Sequence, residues 1–134
     1  MLYLSLRFLV VLSFVCFGLI DLGAQVSNTI RTWATGENTT QLLDAAQRHG
    51  LKVMLGIWMR HGRPGMEDDD SFNYLTDEQG KKDMYENAFR TVQQYKTHPA
   101  LLTWGIGNEV YLNMATDKEK VAYSKLLESI CQQI

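Results

Sequence analysis

The chain has 134 residues, a formal net charge of −2 and a hydrophobic fraction of 46%, which are the values of one ordinary globular unit. A charge balance this close to neutral gives no electrostatic basis for binding nucleic acid or an anionic membrane surface. The two cysteines, Cys16 and Cys131, lie at opposite ends of the chain. The sequence therefore predicts neither a disulfide framework nor a cysteine-based metal site, and we expect both thiols to be unpaired.

Residues 1–24 have the composition of a secretory leader. One positive charge, Arg7, precedes an apolar stretch over residues 8–20, and the small residues Gly23 and Ala24 offer a cleavage site. The stretch is shorter than the roughly twenty residues that a membrane-spanning helix needs. A cleaved signal, an uncleaved anchor and the remnant of a preceding barrel element joined to an incorrect start all stay open. The first two predict a secreted or membrane-associated protein.

The remainder of the chain, residues 25–134, alternates between strand and helix patterns. Residues 28–33 are rich in β-branched and aromatic side chains and predict a short strand. Thr39 or Thr40 is expected to cap a helix that ends at Gly50. The apolar run over residues 51–59 follows at once and predicts a second strand. Such a strand, helix, strand unit is normally parallel and right-handed.

The same alternation continues in the second half of the chain. Residues 77–96 predict a helix, and the apolar run over residues 101–106 predicts a third strand that is covered on both faces. Residues 117–133 predict a third helix. The side chains expected to face inward are Met84, Tyr85, Ala88, Phe89, Val92 and Tyr95 in the earlier helix, and Val121, Leu126, Leu127 and Ile130 in the later one.

A long polar loop over residues 60–76 separates the second predicted strand from the next helix. Loops of this length beside a sheet tend to shape binding sites. Its acidic run, residues 67–70, lacks the spaced ligands and the turn glycine of known calcium loops. We therefore predict a solvated acidic loop and no metal site.

Strands and helices in this order predict an α/β fold on a parallel sheet. A complete eight-unit barrel takes about 250 residues, so three units amount to close to half of one. The two edges of such a sheet would be unpaired, and open edges favour self-association.

Polar side chains stand where each predicted strand ends. Arg31 lies near the end of the first strand, His61 follows the second, and Asn108 and Glu109 follow the third. Active sites of parallel sheets lie beyond the carboxyl ends of their strands. The plainer alternative is that Asn108 and Glu109 only begin a turn or cap a helix, and that Arg31 and His61 are ordinary surface and loop residues.

Three segments carry a family resemblance. Asn-Thr-Ile-Arg-Thr-Trp at 28–33, Gly-Leu-Lys-Val-Met-Leu-Gly-Ile-Trp at 50–58 and His-Pro-Ala-Leu-Leu-Thr-Trp-Gly-Ile-Gly-Asn-Glu-Val at 98–110 resemble the retaining glycoside hydrolases of clan A. The nearest type is the family 2 catalytic barrel. The resemblance implies that residues 25–134 form part of a (β/α)8 TIM barrel and contain its second, third and fourth strands.

The resemblance also implies roles for individual residues. Glu109 would be the general acid/base, which protonates the glycosidic oxygen and then deprotonates the incoming water or sugar hydroxyl. Partial burial would suit that role. Asn108 would bind the sugar hydroxyl beside the reacting carbon, and Arg31 would orient the nucleophilic carboxylate through charge-assisted hydrogen bonds.

Aromatic residues near the strand ends are expected to line the substrate. The indoles of Trp33 and Trp58 would stack on the apolar face of a sugar ring, whereas Trp104 is expected to pack in the core. His61 is expected to reach the same pocket. Carboxylates suffice for this chemistry, so the sequence implies no metal or organic cofactor and a carbohydrate as substrate.

The family's nucleophile lies on the seventh barrel strand, which this sequence does not contain. We therefore expect the polypeptide to be inactive by itself, although the family hydrolyses O-glycosyl bonds by a retaining double displacement. One alternative is a non-catalytic barrel fragment that binds carbohydrate or self-assembles. Another is a small membrane-tethered α/β module of unrelated role.

Overall fold

The computed structural model describes residues 27–62 and 72–134. The predicted leader over residues 1–24, Cys16 and the acidic run over residues 67–70 lie outside these ranges, so the interpretations placed on them stay predictions. Cys131 is exposed and free, as predicted.

One parallel sheet organises the described residues. Its strands, β1, β2 and β3, lie in chain order, and each pairs in parallel with its neighbour. The elements are β1 (Thr29–Arg31), α1 (Thr39–Arg48), β2 (Lys52–Ile57), α2 (Glu78–Tyr95), β3 (Leu101–Ile106), a 3-10 helix (Val110–Asn113) and α3 (Asp117–Cys131). The predicted α/β alternation is confirmed, and the arrangement is that of a partial TIM barrel.

The start of α1 differs from the prediction by one residue. Asn38, rather than Thr39 or Thr40, occupies the cap position. The hydroxyl of Thr39 instead accepts a hydrogen bond from the Gly36 N–H at 2.8 Å. The Thr39 hydroxyl therefore bonds to the turn before the helix and not to the helix itself, and Thr39 is the first helical residue.

The end of α1 follows the prediction. Gly50 has a φ of 70°, and its N–H bonds to the carbonyl of Gln47 at 3.1 Å, while the Leu51 N–H bonds to that of Ala46 at 2.8 Å. These two bonds form a Schellman motif. The motif reverses the chain directly into β2.

Side-chain caps set the starts of the other two helices. The carboxylate of Asp77 accepts from the Gly80 N–H at 2.8 Å at the start of α2. Thr116 and Glu119 form a reciprocal capping box at the start of α3. The observed bounds of α2 lie within one residue of the predicted ones at each end.

The strand covered most completely is β2, and the prediction that β3 is covered on both faces is wrong. No residue of β3 is buried, whereas Val53, Leu55 and Ile57 of β2 are. Among the described residues β3 pairs only with β2, so one of its edges has no neighbour. The register also skips Leu102 in a bulge, which leaves this side chain 57% exposed. Self-association through such an edge stays a prediction.

Two inward-facing assignments on the helices are also wrong. Phe89 is 43% exposed and Val121 is 54% exposed. On α2 the buried row runs through Met84, Ala88 and Val92, and Phe89 is rotated about 100° from Ala88 toward solvent. On α3 the residues that reach the core are Tyr123 and Ile130, with Leu126 and Leu127 partly buried. In the described part of the chain, no helix is long and apolar enough to cross a membrane.

Candidate active site

Because the three strands are parallel, their carboxyl ends lie at the same end of the sheet. Hydrogen bonds continue the contact between neighbouring segments beyond each strand. Past β1, the Thr32 N–H donates to the Met54 carbonyl at 3.0 Å, and the Thr32 hydroxyl accepts from the Gly56 N–H at 2.8 Å. Past β3, the Gly107 N–H donates to the Ile57 carbonyl at 2.9 Å. The residues that follow the strands therefore face one common space.

Asn108 is held by residues at the ends of the two preceding strands, β1 and β2. Its side-chain oxygen Oδ1 accepts from Nη2 of Arg31 at 3.2 Å. Its backbone carbonyl lies 3.0 Å from Nε2 of His61. A carbonyl oxygen only accepts hydrogen bonds, so Nε2 carries a proton and donates. His61 is 1% exposed, which places this bond away from competing water.

Trp33 and Trp58 add to this set of contacts at its two ends. The guanidinium carbon of Arg31 lies 4.1 Å from the centre of the Trp33 ring, a cation–π distance. The rings of Trp58 and His61 are stacked, with centroids 4.9 Å apart and planes inclined by 15°. The predicted substrate-binding residues thus form one continuous set of contacts that runs Trp33, Arg31, Asn108, His61 and Trp58.

Glu109 occupies a strained backbone conformation next to this set. Its φ of 54° and ψ of 19° lie in the left-handed region. In the part of the chain that the structure describes, no other non-glycine residue has a positive φ. L-residues other than Gly, Asn and Asp rarely adopt this region, and such outliers cluster at functional sites.

Glu109 is exposed, so its carboxylate lacks the partial burial that would suit an acid/base role. The residue precedes the 3-10 helix, yet its side chain makes no capping hydrogen bond to it. Of the two plainer interpretations of the sequence, this excludes a carboxylate cap, whereas Asn108 and Glu109 do lie in the bend that leads into the 3-10 helix. Glu109 follows β3, directly after Asn108, whose side chain is bonded to Arg31.

Gly107 turns the chain toward Glu109 where no larger residue fits. It has a φ of 73°. A Cβ at this position would lie 2.5 Å from the hydroxyl oxygen of Tyr123 and 3.3 Å from Cγ of Met59. Both the backbone angle and the lack of space therefore require glycine.

A tyrosine cluster beneath this turn was not predicted. The Tyr123 ring meets Tyr74 and Tyr111 edge to face, with centroids 5.3 Å apart in each pair. Burial, and then the nearby Tyr111 and Cys131, raise the pKa of Tyr123 to about 12. The available sequence signal was the spacing of Tyr123 from Leu126 and Ile130, which places all three on one helix face.

The described residues contain no group of three or more histidine, cysteine, aspartate or glutamate side chains that could hold a metal ion. The groups that the site offers are the Glu109 carboxylate, the Asn108 amide, the Arg31 guanidinium and two indoles. These can exchange a proton, bind hydroxyl groups and stack on an apolar ring face.

Comparison with known proteins gives one family. The protein-family model described as "Glycosyl hydrolases family 2, TIM barrel domain" matches residues 22–129. No curated protein matches the chain.

Proposed function

The chain belongs to glycosyl hydrolase family 2, and on that premise we propose that it supplies the acid/base side of a retaining glycosidase site. The family fixes the class of substrate as a carbohydrate. The observation that carries the proposal is the pair Asn108 and Glu109 at the end of β3, where Arg31 orients the amide and Glu109 presents an exposed carboxylate.

Glu109 acts first as an acid and then as a base. It protonates the glycosidic oxygen as the bond to the sugar breaks, and it later takes a proton from the water or hydroxyl that attacks the glycosyl intermediate. The exposure of Glu109 leaves its carboxyl group accessible, as it must be to reach the leaving oxygen directly.

Asn108 binds and orients the sugar, and Arg31 orients the Asn108 amide. Arginine only donates, so the amide oxygen of Asn108 must face Arg31. The amide nitrogen is then directed away from Arg31, and it donates to the sugar hydroxyl beside the reacting carbon. A contact of this kind strengthens at the oxocarbenium-like transition state. Trp33 and Trp58 complete the walls of the site, and the buried His61 supports Trp58 and the Asn108 carbonyl from behind.

The nucleophile of the double displacement comes from outside the described strands. A retaining reaction needs a second carboxylate about 5 Å from the first. Within four residues after the end of each described strand, Glu109 is the one carboxylate. We therefore expect a polypeptide of these 134 residues to turn over no glycoside by itself.

The test compares Glu109→Gln with Glu128→Gln in a longer polypeptide that adds the flanking coding sequence. The substrates are aryl β-glycosides with good and poor leaving groups. A good leaving group needs no protonation, so Glu109→Gln should lose activity mainly on the poor one. Azide needs no deprotonation to attack, so it should restore turnover of the good substrate and yield a glycosyl azide.

Glu128 is an exposed glutamate on α3 and serves as the matched control, which should behave as the native protein. Equal loss on both substrates without azide rescue would contradict the acid/base role. Unchanged turnover in Glu109→Gln would remove Glu109 from the reaction altogether. Sugar binding without turnover in the longer polypeptide would instead favour the non-catalytic alternative.

A further inference from the structure

Helix α3 contacts the chain on both sides of Glu109. Before Glu109, the hydroxyl of Tyr123 packs against Gly107, where a Cβ would come within 2.5 Å of it. After Glu109, the Tyr111 ring meets the Tyr123 ring at 5.3 Å, and the Tyr111 hydroxyl bonds to the Ser124 hydroxyl. The turn that presents the carboxylate is thus held at both ends by two consecutive residues of one helix.

The Glu109 conformation needs such support. A non-glycine residue in the left-handed region persists only where surrounding contacts over-determine the backbone. The bond from Leu112 N–H to the Glu109 carbonyl at 3.0 Å is local, and Arg31 and His61 hold Asn108. Tyr123 is the residue that contacts both Gly107 and Tyr111, and it is itself fixed by burial, at 3% exposure.

We propose that Tyr123 is a positioning residue, which holds the Gly107 to Glu109 turn in its left-handed form and so aims the Glu109 carboxylate. It touches no substrate and acts through the backbone. Its value for catalysis rests on the proposed function of Glu109, but the conformational effect does not.

The test uses the stability difference between Glu109→Gly and Glu109→Ala as a report on the backbone at residue 109. In a left-handed position glycine is favoured over alanine, whereas in an ordinary helical or turn position alanine is favoured. In the otherwise native chain, Glu109→Gly should therefore have the higher urea midpoint. The two unfolding constants should differ by roughly five-fold.

The same pair of substitutions is then made together with Tyr123→Leu. If Tyr123 holds the turn, its removal should close or reverse the gap in unfolding free energy between the glycine and alanine variants. Tyr74→Leu is the matched control, because Tyr74 is a buried member of the same cluster that packs on Tyr123. It should lower stability while leaving the gap in place. A gap unchanged by Tyr123→Leu would overturn the proposal and leave Tyr123 as a core residue only.

Tyr123→Phe covers the case in which Tyr123→Leu does not fold. It keeps the ring and its contact with Tyr111 and removes only the oxygen that packs on Gly107. A narrowed gap supports the proposal, and an unchanged gap overturns the claim that Tyr123 holds the turn through Gly107. Turnover is not needed for this readout. If Glu109→Gln leaves turnover intact while the gap closes, the acid/base role fails and the positioning of the turn stands.

Discussion

Arg31 and Asn108 are joined by a hydrogen bond of 3.2 Å although 77 residues separate them in sequence. The bond links the end of β1 to the turn after β3 across the carboxyl edge of β2. It orients the Asn108 amide, because only the amide oxygen can accept from a guanidinium.

We predict a measurable coupling between these two residues. In a double-mutant cycle with Arg31→Met and Asn108→Ala, the free energies of unfolding should be non-additive by about 0.5–1 kcal/mol, since the bond is charge-assisted but exposed. Urea unfolding of the four proteins measures it. Arg90→Met with Asn108→Ala is the control pair, because Arg90 is exposed on α2, and it should be additive. Additivity in the Arg31 pair would mean that the bond adds nothing to stability.

Gly107→Ala should destabilise the protein more than Gly50→Ala. Both glycines have a positive φ, but a Cβ at Gly50 meets nothing within 4 Å, whereas one at Gly107 meets Tyr123 and Met59. We expect a loss of about 1 kcal/mol at Gly50 from the backbone alone and about 2–4 kcal/mol at Gly107, where overpacking adds to it.

Chemical denaturation of the two variants gives this comparison directly. Gly36→Ala is a neutral control, since Gly36 has open space around it. Equal losses of unfolding free energy at Gly50 and Gly107 would show that Tyr123 moves away from the added methyl group without further destabilisation.

Tyr123 should make stability fall at high pH. Its pKa is 10.0 when unperturbed and about 12 in the folded protein. Between these values the unfolded state releases the phenolic proton and the folded state keeps it, so unfolding is favoured as pH rises. The contribution is fully present below pH 10 and is lost through pH 12, and it amounts to about 2–3 kcal/mol in total.

Urea unfolding from pH 9 to pH 12 should show this loss in the native chain and a shallower one in Tyr123→Phe. All other ionisable groups are common to the two proteins, so the difference isolates Tyr123. Parallel curves for the two proteins would show that Tyr123 titrates normally.

Trp33 should contribute more to sugar binding than Trp104. Trp33 is 51% exposed and rests on Arg31, so one ring face is supported and the other is open to stack on a sugar. Trp33→Ala should raise the KM for aryl β-glycosides of an active longer polypeptide by roughly five- to thirty-fold, equivalent to about 1–2 kcal/mol. Trp104→Phe should change KM little, because Trp104 packs against the core clusters. The reverse order would place the sugar elsewhere.

The local sequence determined the elements and their order. Glycine at the end of α1, Asp77 before α2 and the capping box before α3 act within a few residues of chain, so they are readable without the fold. The strands are predictable because short runs of β-branched and apolar residues favour a strand over a helix or a loop. Parallel pairing followed from the alternation of strands and helices.

The sequence also indicated the site, because polar residues directly after apolar strands meet at one edge of a parallel sheet. Only the tertiary structure decided how they meet. That Arg31 bonds to the side chain of Asn108 and His61 to its carbonyl depends on strand register. Register arises from pairing between distant segments and not from any one of them.

Which apolar side chains of the helices and of β3 are buried could likewise be decided only by the tertiary structure. Phe89, Val121 and the residues of β3 are apolar in sequence yet exposed or half-exposed here, since an apolar side chain is buried only where another element covers it. The left-handed backbone of Glu109 is the clearest case. A glutamate carries no local preference for that conformation, and the contacts of Tyr123 with Gly107 and Tyr111, on either side of it, come from a helix that lies later in the chain.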